Sequence, residues 1–166
     1  MKKVTLIRHA KSSWEDMMLK DHDRPLNKRG KRDAPFMAKM MASRGWRPDL
    51  LISSTANRAQ TTTRHFAEAL NIRPEEMLLQ ERIYEASIPT IINLIAQLND
   101  QWSAVALFGH NPTFTMVANI FYRNEYLDNL PTCGIVEIEA PGITTWDTFT
   151  PDTAQVVSVH YPKQYF

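Results

Sequence analysis

One cysteine, Cys133, stands in 166 residues, which excludes an intramolecular disulfide framework. Met1-Lys2-Lys3 is basic, but the apolar run behind it stops at Arg8, too short for a secretory leader. The two observations together favour the cytoplasm. No stretch reaches the roughly 18 apolar residues of a membrane-spanning helix. Neither sign of charge dominates, since 19 Lys and Arg against 18 Asp and Glu leave a formal net charge of +1. The basic residues are spread along the chain, so there is no electrostatic case for nucleic acid or an anionic membrane as partner. Low-complexity tracts, linkers and repeats of about 20–50 residues are missing as well. What is left is a chain of 43% hydrophobic and 22% charged residues, long enough for a sizeable core and read as one domain over residues 1–166.

Strand and helix signals alternate along it. Residues 4–8 form a first apolar strand. After a polar loop to about Arg24, Asn27 caps a helix running toward Ser43, with Gly30, Ala34, Met37 and Met41 on one face. Pro35 either kinks this helix or, with Asp33 as cap, begins a separate one. Residues 50–53 make a second strand, followed by a helix carrying Ala59, Thr63, Phe66 and Leu70, with Ser54 or Thr55 as cap. Ser87 and Pro89 open another helix, whose apolar stripe is Ile88, Ile91, Ile92, Ile95 and Leu98. A third strand covers 104–108, and Asn111-Pro112 supplies a cap and first-turn proline for the next helix. The last third reads as edge strands at 134–139, 144–149 and 155–159, some of them antiparallel. The expected architecture is a three-layer α/β/α sandwich around a mixed, mostly parallel sheet.

In open α/β sheets, ligand sites lie beyond the carboxyl ends of the strands. Three strand ends deliver chemistry there: Arg8 and His9, then Arg58 at a helix start, then His110 after Gly109. A neutral imidazole keeps a lone pair for phosphorus, and flanking guanidiniums neutralise the non-bridging oxygens. A second histidine donates to the same oxygens. Glu85, between an aromatic and a helix cap, is the best-placed carboxylate for proton transfer, although a Glu near a helix start also serves as a dipole partner.

These segments resemble a known family. Arg8-His9-Ala10 is similar to the Arg-His-Gly signature of the histidine phosphatase superfamily, the phosphoglycerate mutase-like fold. Arg24-Pro25-Leu26-Asn27 with Gly30 and Ala34 resembles the segment that follows it, and Ser53-Ser54 with Arg58-Ala59 and Thr62 its strand-helix motif. Ile83-Tyr84-Glu85 looks like the acid-bearing stretch, and Gly109-His110-Asn111-Pro112 like the second-histidine motif. The whole pattern is most similar to the SixA-like phosphohistidine phosphatase branch. The resemblance implies that His9 is the nucleophile, that Arg8, Arg58 and His110 form the phosphate pocket, and that Glu85 is the general acid. It implies a metal-independent reaction with no cofactor. Two departures stand out: Ala10 replaces a glycine, and Asn27 replaces a Thr or Ser that can still be matched as a cap.

Other residues carry blander readings. Arg24 is read as structural, and Lys11, Ser12 and Ser13 either line the pocket or are solvated. His22 in Asp21-His22-Asp23 lacks companions at zinc-ligand spacing, so no metal is expected there. His65 and His160 carry no motif, the methionines 37, 40 and 41 are core filler, and the four tryptophans form no stacking platform. The expected function is removal of phosphate from phosphohistidine in a protein. The alternatives are a phosphatase of small phosphomonoesters and a phosphate-binding or interaction module without turnover. A mutase is disfavoured because this length leaves no large lid. The sequence does not specify an oligomeric state.

Overall fold

Alternation along the central strands decides the layers. In a computed structural model describing residues 1–166, Val4 and Leu6 of β1 (Lys2–Arg8) enter one core, while Ile7 enters the other. β2 (Leu50–Ser53) divides Leu50 and Ile52 from Leu51, and β4 (Ala104–Gly109) divides Val105 and Leu107 from Ala106 and Phe108. A strand buried on both faces must be apolar throughout, hence the short continuous hydrophobic runs. The first core is closed by α3 (Ile88–Ala96) and α4 (Thr113–Ile120), the second by α1 (Lys28–Ser43) and α2 (Asn57–Ala69). The result is a three-layer α/β/α sandwich.

With β3 (Leu78–Leu79), β5 (Ile135–Ala140) and β6 (Gln155–His160), the sheet has six strands in the order β3-β2-β4-β1-β5-β6. β3, β2, β4 and β1 pair in parallel, and β5 and β6 add antiparallel pairs. Register then sets the site. Arg8 lies opposite Gly109, and Ser53 opposite Phe108. The residues just past these three strand ends, His9, His110 and Ser54, therefore emerge side by side.

α1 is one helix. Asn27 caps it by accepting from the Gly30 N–H at 2.9 Å, and Asp33 lies buried in its body instead of capping a second one. Pro35 sits inside it, removing only the N–H that would serve the Lys31 carbonyl. Gly30 is required by packing: a Cβ there would run into the Lys11 carbonyl, so only glycine lets α1 lie against the segment that follows His9. Ser87 caps α3 as expected, and Leu94 joins Ile91 and Ile95 in the core.

Three expectations are corrected, and one strand is unanticipated. The α2 N-cap is Ala56, with no side-chain cap; the Ser54 hydroxyl serves the site, as described below. At α4, Pro112 is the N-cap residue, while the Asn111 carbonyl oxygen Oδ1 accepts the Thr115 N–H from one residue upstream. Residues 144–149 are not a strand. Trp146 starts a 3-10 turn with its indole fully buried, donating to the Trp102 carbonyl at 3.0 Å, and its backbone N–H donates to Asp100 at 2.8 Å. Anchoring one large aromatic overrides the β-branched pattern there. Finally, β3 is an edge strand of two exposed residues, too short to show a period in sequence.

Candidate active site

His9 is the first residue beyond β1, and its backbone is tied on both sides. Its N–H donates to the Gly109 carbonyl at 3.0 Å, and its carbonyl accepts from the Cys133 N–H at 3.0 Å. The ring is tied as well. Nδ1 lies 2.7 Å from the Ala10 carbonyl, which can only accept, so Nδ1 carries the proton. The Arg58 Nε–H donates to Nε2 at 3.3 Å, which requires a lone pair on that nitrogen. Two independent contacts thus fix one tautomer. The side chain is 7% exposed. Burial, and then the nearby His110, Arg58 and Arg8, bring its pKa from 6.5 to about 3 against the opposing pull of the Ala10 carbonyl.

His110 emerges beside it from β4, with ring centroids 5.2 Å apart. Its Nε2 is 2.7 Å from the Ser54 hydroxyl, at the end of β2. Burial and the Arg58 charge lower its pKa to about 3 as well. Gly109 lets β4 end here, because a Cβ would lie 2.6 Å from Phe114 Cζ and 2.7 Å from Ile83 Cγ2. From β1, Arg8 donates through Nη1 to the Leu130 carbonyl at 2.9 Å, and its pKa is lowered by burial and by Arg58. Arg8 Nε and His110 Nδ1 are buried without a hydrogen-bond partner. An unsatisfied buried polar group costs about 1–3 kcal/mol. Here two such groups belong to side chains that neighbour His9, an arrangement that suits an oxyanion.

Asp21 completes the surroundings, and sequence reasoning missed it. The Arg58 guanidinium donates to the Asp21 carbonyl at 2.7 Å and to its Oδ2 at 3.0 Å, and the Tyr84 hydroxyl donates to Oδ2 at 2.7 Å. Arg24 donates to Oδ1 at 3.1 Å. Burial raises the Asp21 pKa, but these donors outweigh it and hold the carboxyl at about 2. Burial and the same carboxylate push the Tyr84 phenol up to about 12. The Tyr84 ring meets His110 edge-on at 5.5 Å and His22 at 4.8 Å. The only local signal for any of this was Arg24 three residues after Asp21. The Asp21-His22-Asp23 segment is a 3-10 turn, and no group of three or more His, Cys, Asp or Glu side chains gathers there or elsewhere in the chain.

Residues 4–114 match the histidine phosphatase superfamily (branch 1). The chain belongs to this superfamily. An uncharacterised protein of Mycobacterium tuberculosis is 30% identical over 166 residues, covering 95% of this chain and all of that one. An uncharacterised chloroplastic protein of Arabidopsis thaliana is 49% identical over 61 residues, 37% of this chain but 28% of that protein. Among solved structures, a candidate phosphohistidine phosphatase SixA from Agrobacterium tumefaciens superposes with a TM-score of 0.82 at 29% identity, over 97% of this chain and 98% of that one.

Against the superfamily's expected residues, the structure gathers His9, Arg8, Arg58 and His110 at one end of the sheet. Glu85 stands apart on the rim. It is exposed, has a φ of 55°, makes no hydrogen bond, and lines a depression of about 310 Å³ together with Ile83, His110 and Asn111. Ala10 costs nothing as a replacement for glycine, since its φ is negative and its methyl is fully buried. Its N–H donates to Thr62 Oγ1 at 3.0 Å, tying it to α2. Arg24 is structural, bonded to Ser12 at 2.9 Å and the Ser13 carbonyl at 3.1 Å, and stacked 3.5 Å over Trp14. Ser12 is thereby engaged, while the Lys11 carbonyl holds the Asn27 N–H at 2.9 Å. No helix is long and apolar enough to cross a membrane.

Proposed function

We propose that this chain is a metal-independent phosphatase that passes a phosphoryl group through Nε2 of His9, and that its substrate is phosphohistidine carried on a protein. The observation that carries this is the pair of contacts fixing the His9 tautomer, which leaves an imidazole lone pair on Nε2 facing the Arg58 Nε–H, with Arg8 and His110 beside the ring. In the first step Nε2 attacks phosphorus in line. The P–Nε2 bond forms, the bond from phosphorus to the substrate imidazole breaks, and that imidazole departs with the electron pair and takes up a proton from solvent water. The Arg58 Nε–H passes from the lone pair to a phosphoryl oxygen, and Arg8 Nε and His110 Nδ1 take the same charge. Phospho-His9 keeps its Nδ1 proton, so the ring becomes an imidazolium held by the Ala10 carbonyl. That positive charge keeps it a good leaving group when water attacks phosphorus in the second step.

The likeness to the Agrobacterium SixA protein supports the phosphohistidine reading. So does the exposure of Glu85, which no hydrogen bond holds in place, because an imidazole leaves with less acid assistance than an alkoxide. A small phosphomonoester is the second reading, favoured by the placement of Glu85 on the same depression as His110.

Purified protein in EDTA, offered phosphohistidine peptide and a panel of small phosphoesters, is expected to turn over the peptide best. Rapid quenching should trap a phosphoenzyme that is labile to acid and stable to base, and His9→Ala should be inert. Activity persisting in His9→Ala would falsify the nucleophile assignment, and a wild type inert toward every substrate would favour a binding module instead.

A further inference from the structure

Arg8 also borders a second feature, a groove of about 390 Å³ that it lines with Lys11, Arg29, Arg32 and Lys163. The groove runs from the segment after His9, across the first turns of α1, to the 3-10 turn at Pro162–Gln164. Asp33 is the one acidic side chain lining it. Asp33 is buried and bonded by Arg32 at 2.9 Å, and the Arg32 guanidinium lies 4.2 Å over the Phe166 ring, so this pair is already neutralised. Arg8, Lys11, Arg29 and Lys163 have no carboxylate partner. Four unpaired cations in one concavity, on a chain whose net charge is +1, are a local concentration that repels itself until an anion offsets it.

We infer that this groove receives the acidic flank of the substrate, a run of Asp or Glu carboxylates beside the phosphohistidine. The inference rests on the phosphohistidine reading above and adds what the protein around that residue must carry. Because Arg8 belongs to both the groove and the His9 site, the flank begins within a few residues of the phosphohistidine, at roughly 3.3 Å per extended residue. The cations come from three separate segments, Arg8 with Lys11, Arg29 and Lys163, and none shares a hydrogen-bond acceptor with another. That dispersion fits several carboxylates spaced along a peptide better than one compact second phosphate, which needs donors converging on a point.

The test uses two phosphohistidine peptides identical except for Glu or Gln flanks, with the full chain and an Arg29→Gln/Lys163→Gln variant. Neither substituted residue belongs to the machinery around His9. In low salt the wild type should favour the acidic peptide by about tenfold in kcat/KM, mostly through KM, the size expected for two partly exposed ion pairs. The variant should lose that preference while turning over the neutral peptide normally, and 0.5 M salt should erase it in the wild type. Charge reversal, Arg29→Glu/Lys163→Glu, should shift preference to a Lys-flanked peptide. A second arm measures binding of a fluorescent Glu-rich peptide without phosphate, competed by inorganic pyrophosphate. If neither phosphohistidine peptide is turned over but the fluorescent peptide binds the wild type and not the variant, the groove assignment stands and the phosphohistidine reading falls. If both peptides are turned over alike and the fluorescent peptide does not bind, the groove inference is overturned and the phosphohistidine reading stands. Displacement by pyrophosphate, with no preference between flanks, also overturns it in favour of a compact anion.

Discussion

Acidifying the protein from pH 7.5 to pH 5 acts on His9 and His110 together. Both imidazoles have folded pKa values brought from 6.5 to about 3, chiefly by burial. Between those values the unfolded chain binds protons that the folded state refuses, so stability falls as pH falls across that window and is unaffected above it. At pH 5 each histidine costs about 2 kcal/mol, and the pair about 4 kcal/mol as an upper bound. Set against a total of roughly 5–15 kcal/mol for an ordinary domain, that is a large loss. The two ring centroids lie 5.2 Å apart, so charging one makes the second harder to charge, and both stay neutral throughout the window.

Urea unfolding at pH 7.5, 6 and 5 measures this, with a His9→Asn/His110→Asn variant as the reference. The wild type should lose up to about 4 kcal/mol more than the variant over that range. His65, whose pKa is also lowered by burial, is present in both proteins and cancels. Asp21 does not interfere: held at about 2 against 3.8, its contribution is complete above pH 3.8 and is lost only as pH falls below it. Nitrogen NMR of the rings gives a second readout, with His9 neutral and protonated on Nδ1 down to about pH 4. Parallel pH dependence in the two proteins, or either ring titrating near 6.5, would refute the burial argument.

Other outcomes follow from the same geometry. Asp21→Asn removes the charge that anchors Arg58 and should lower kcat/KM about tenfold in steady-state assays, since small misplacements at a reacting centre are costly. Gly109→Ala forces a methyl against Phe114 and Ile83, and should lose about 1–3 kcal/mol in urea unfolding. Glu85→Gln should depress turnover of small phosphomonoesters while sparing phosphohistidine peptide; equal losses on both would count against the acid role.

The strand ends were legible because each carries an apolar run that a polar motif terminates. The cap of α1 was legible because an Asn side chain satisfies a backbone N–H only three residues away. Contacts between distant segments left no such mark. Asp21 meets Arg58 across 37 positions and Tyr84 across 63, so its sequence neighbourhood shows a polar turn and nothing more. Ser54 was misread for a related reason. A hydroxyl before a helix is an ordinary cap signal, and only the register of β2 against β4 shows that His110 takes it. The fate of Trp146 was hidden likewise, because the acceptor for its indole lies 44 positions away.

These two kinds of residue divide the labour in the proposed reaction. His9, His110 and Ser54 stand where they do because parallel register levels three strand ends, and Arg58 reaches them from the first turn of α2. Changing the phosphoryl pocket therefore means changing the sheet. Asp21, Glu85 and the Arg29–Lys163 groove sit on turns, a rim and a terminus, where substitution leaves the register intact. On the proposals above, the choice of leaving group and of flanking sequence falls to that second set, which also holds the Arg58 anchor. Arg58 is the hinge between them, with Nε given to His9 and the far side of its fork given to Asp21. A lysine, as a single point charge, could not bridge both sides with fixed geometry.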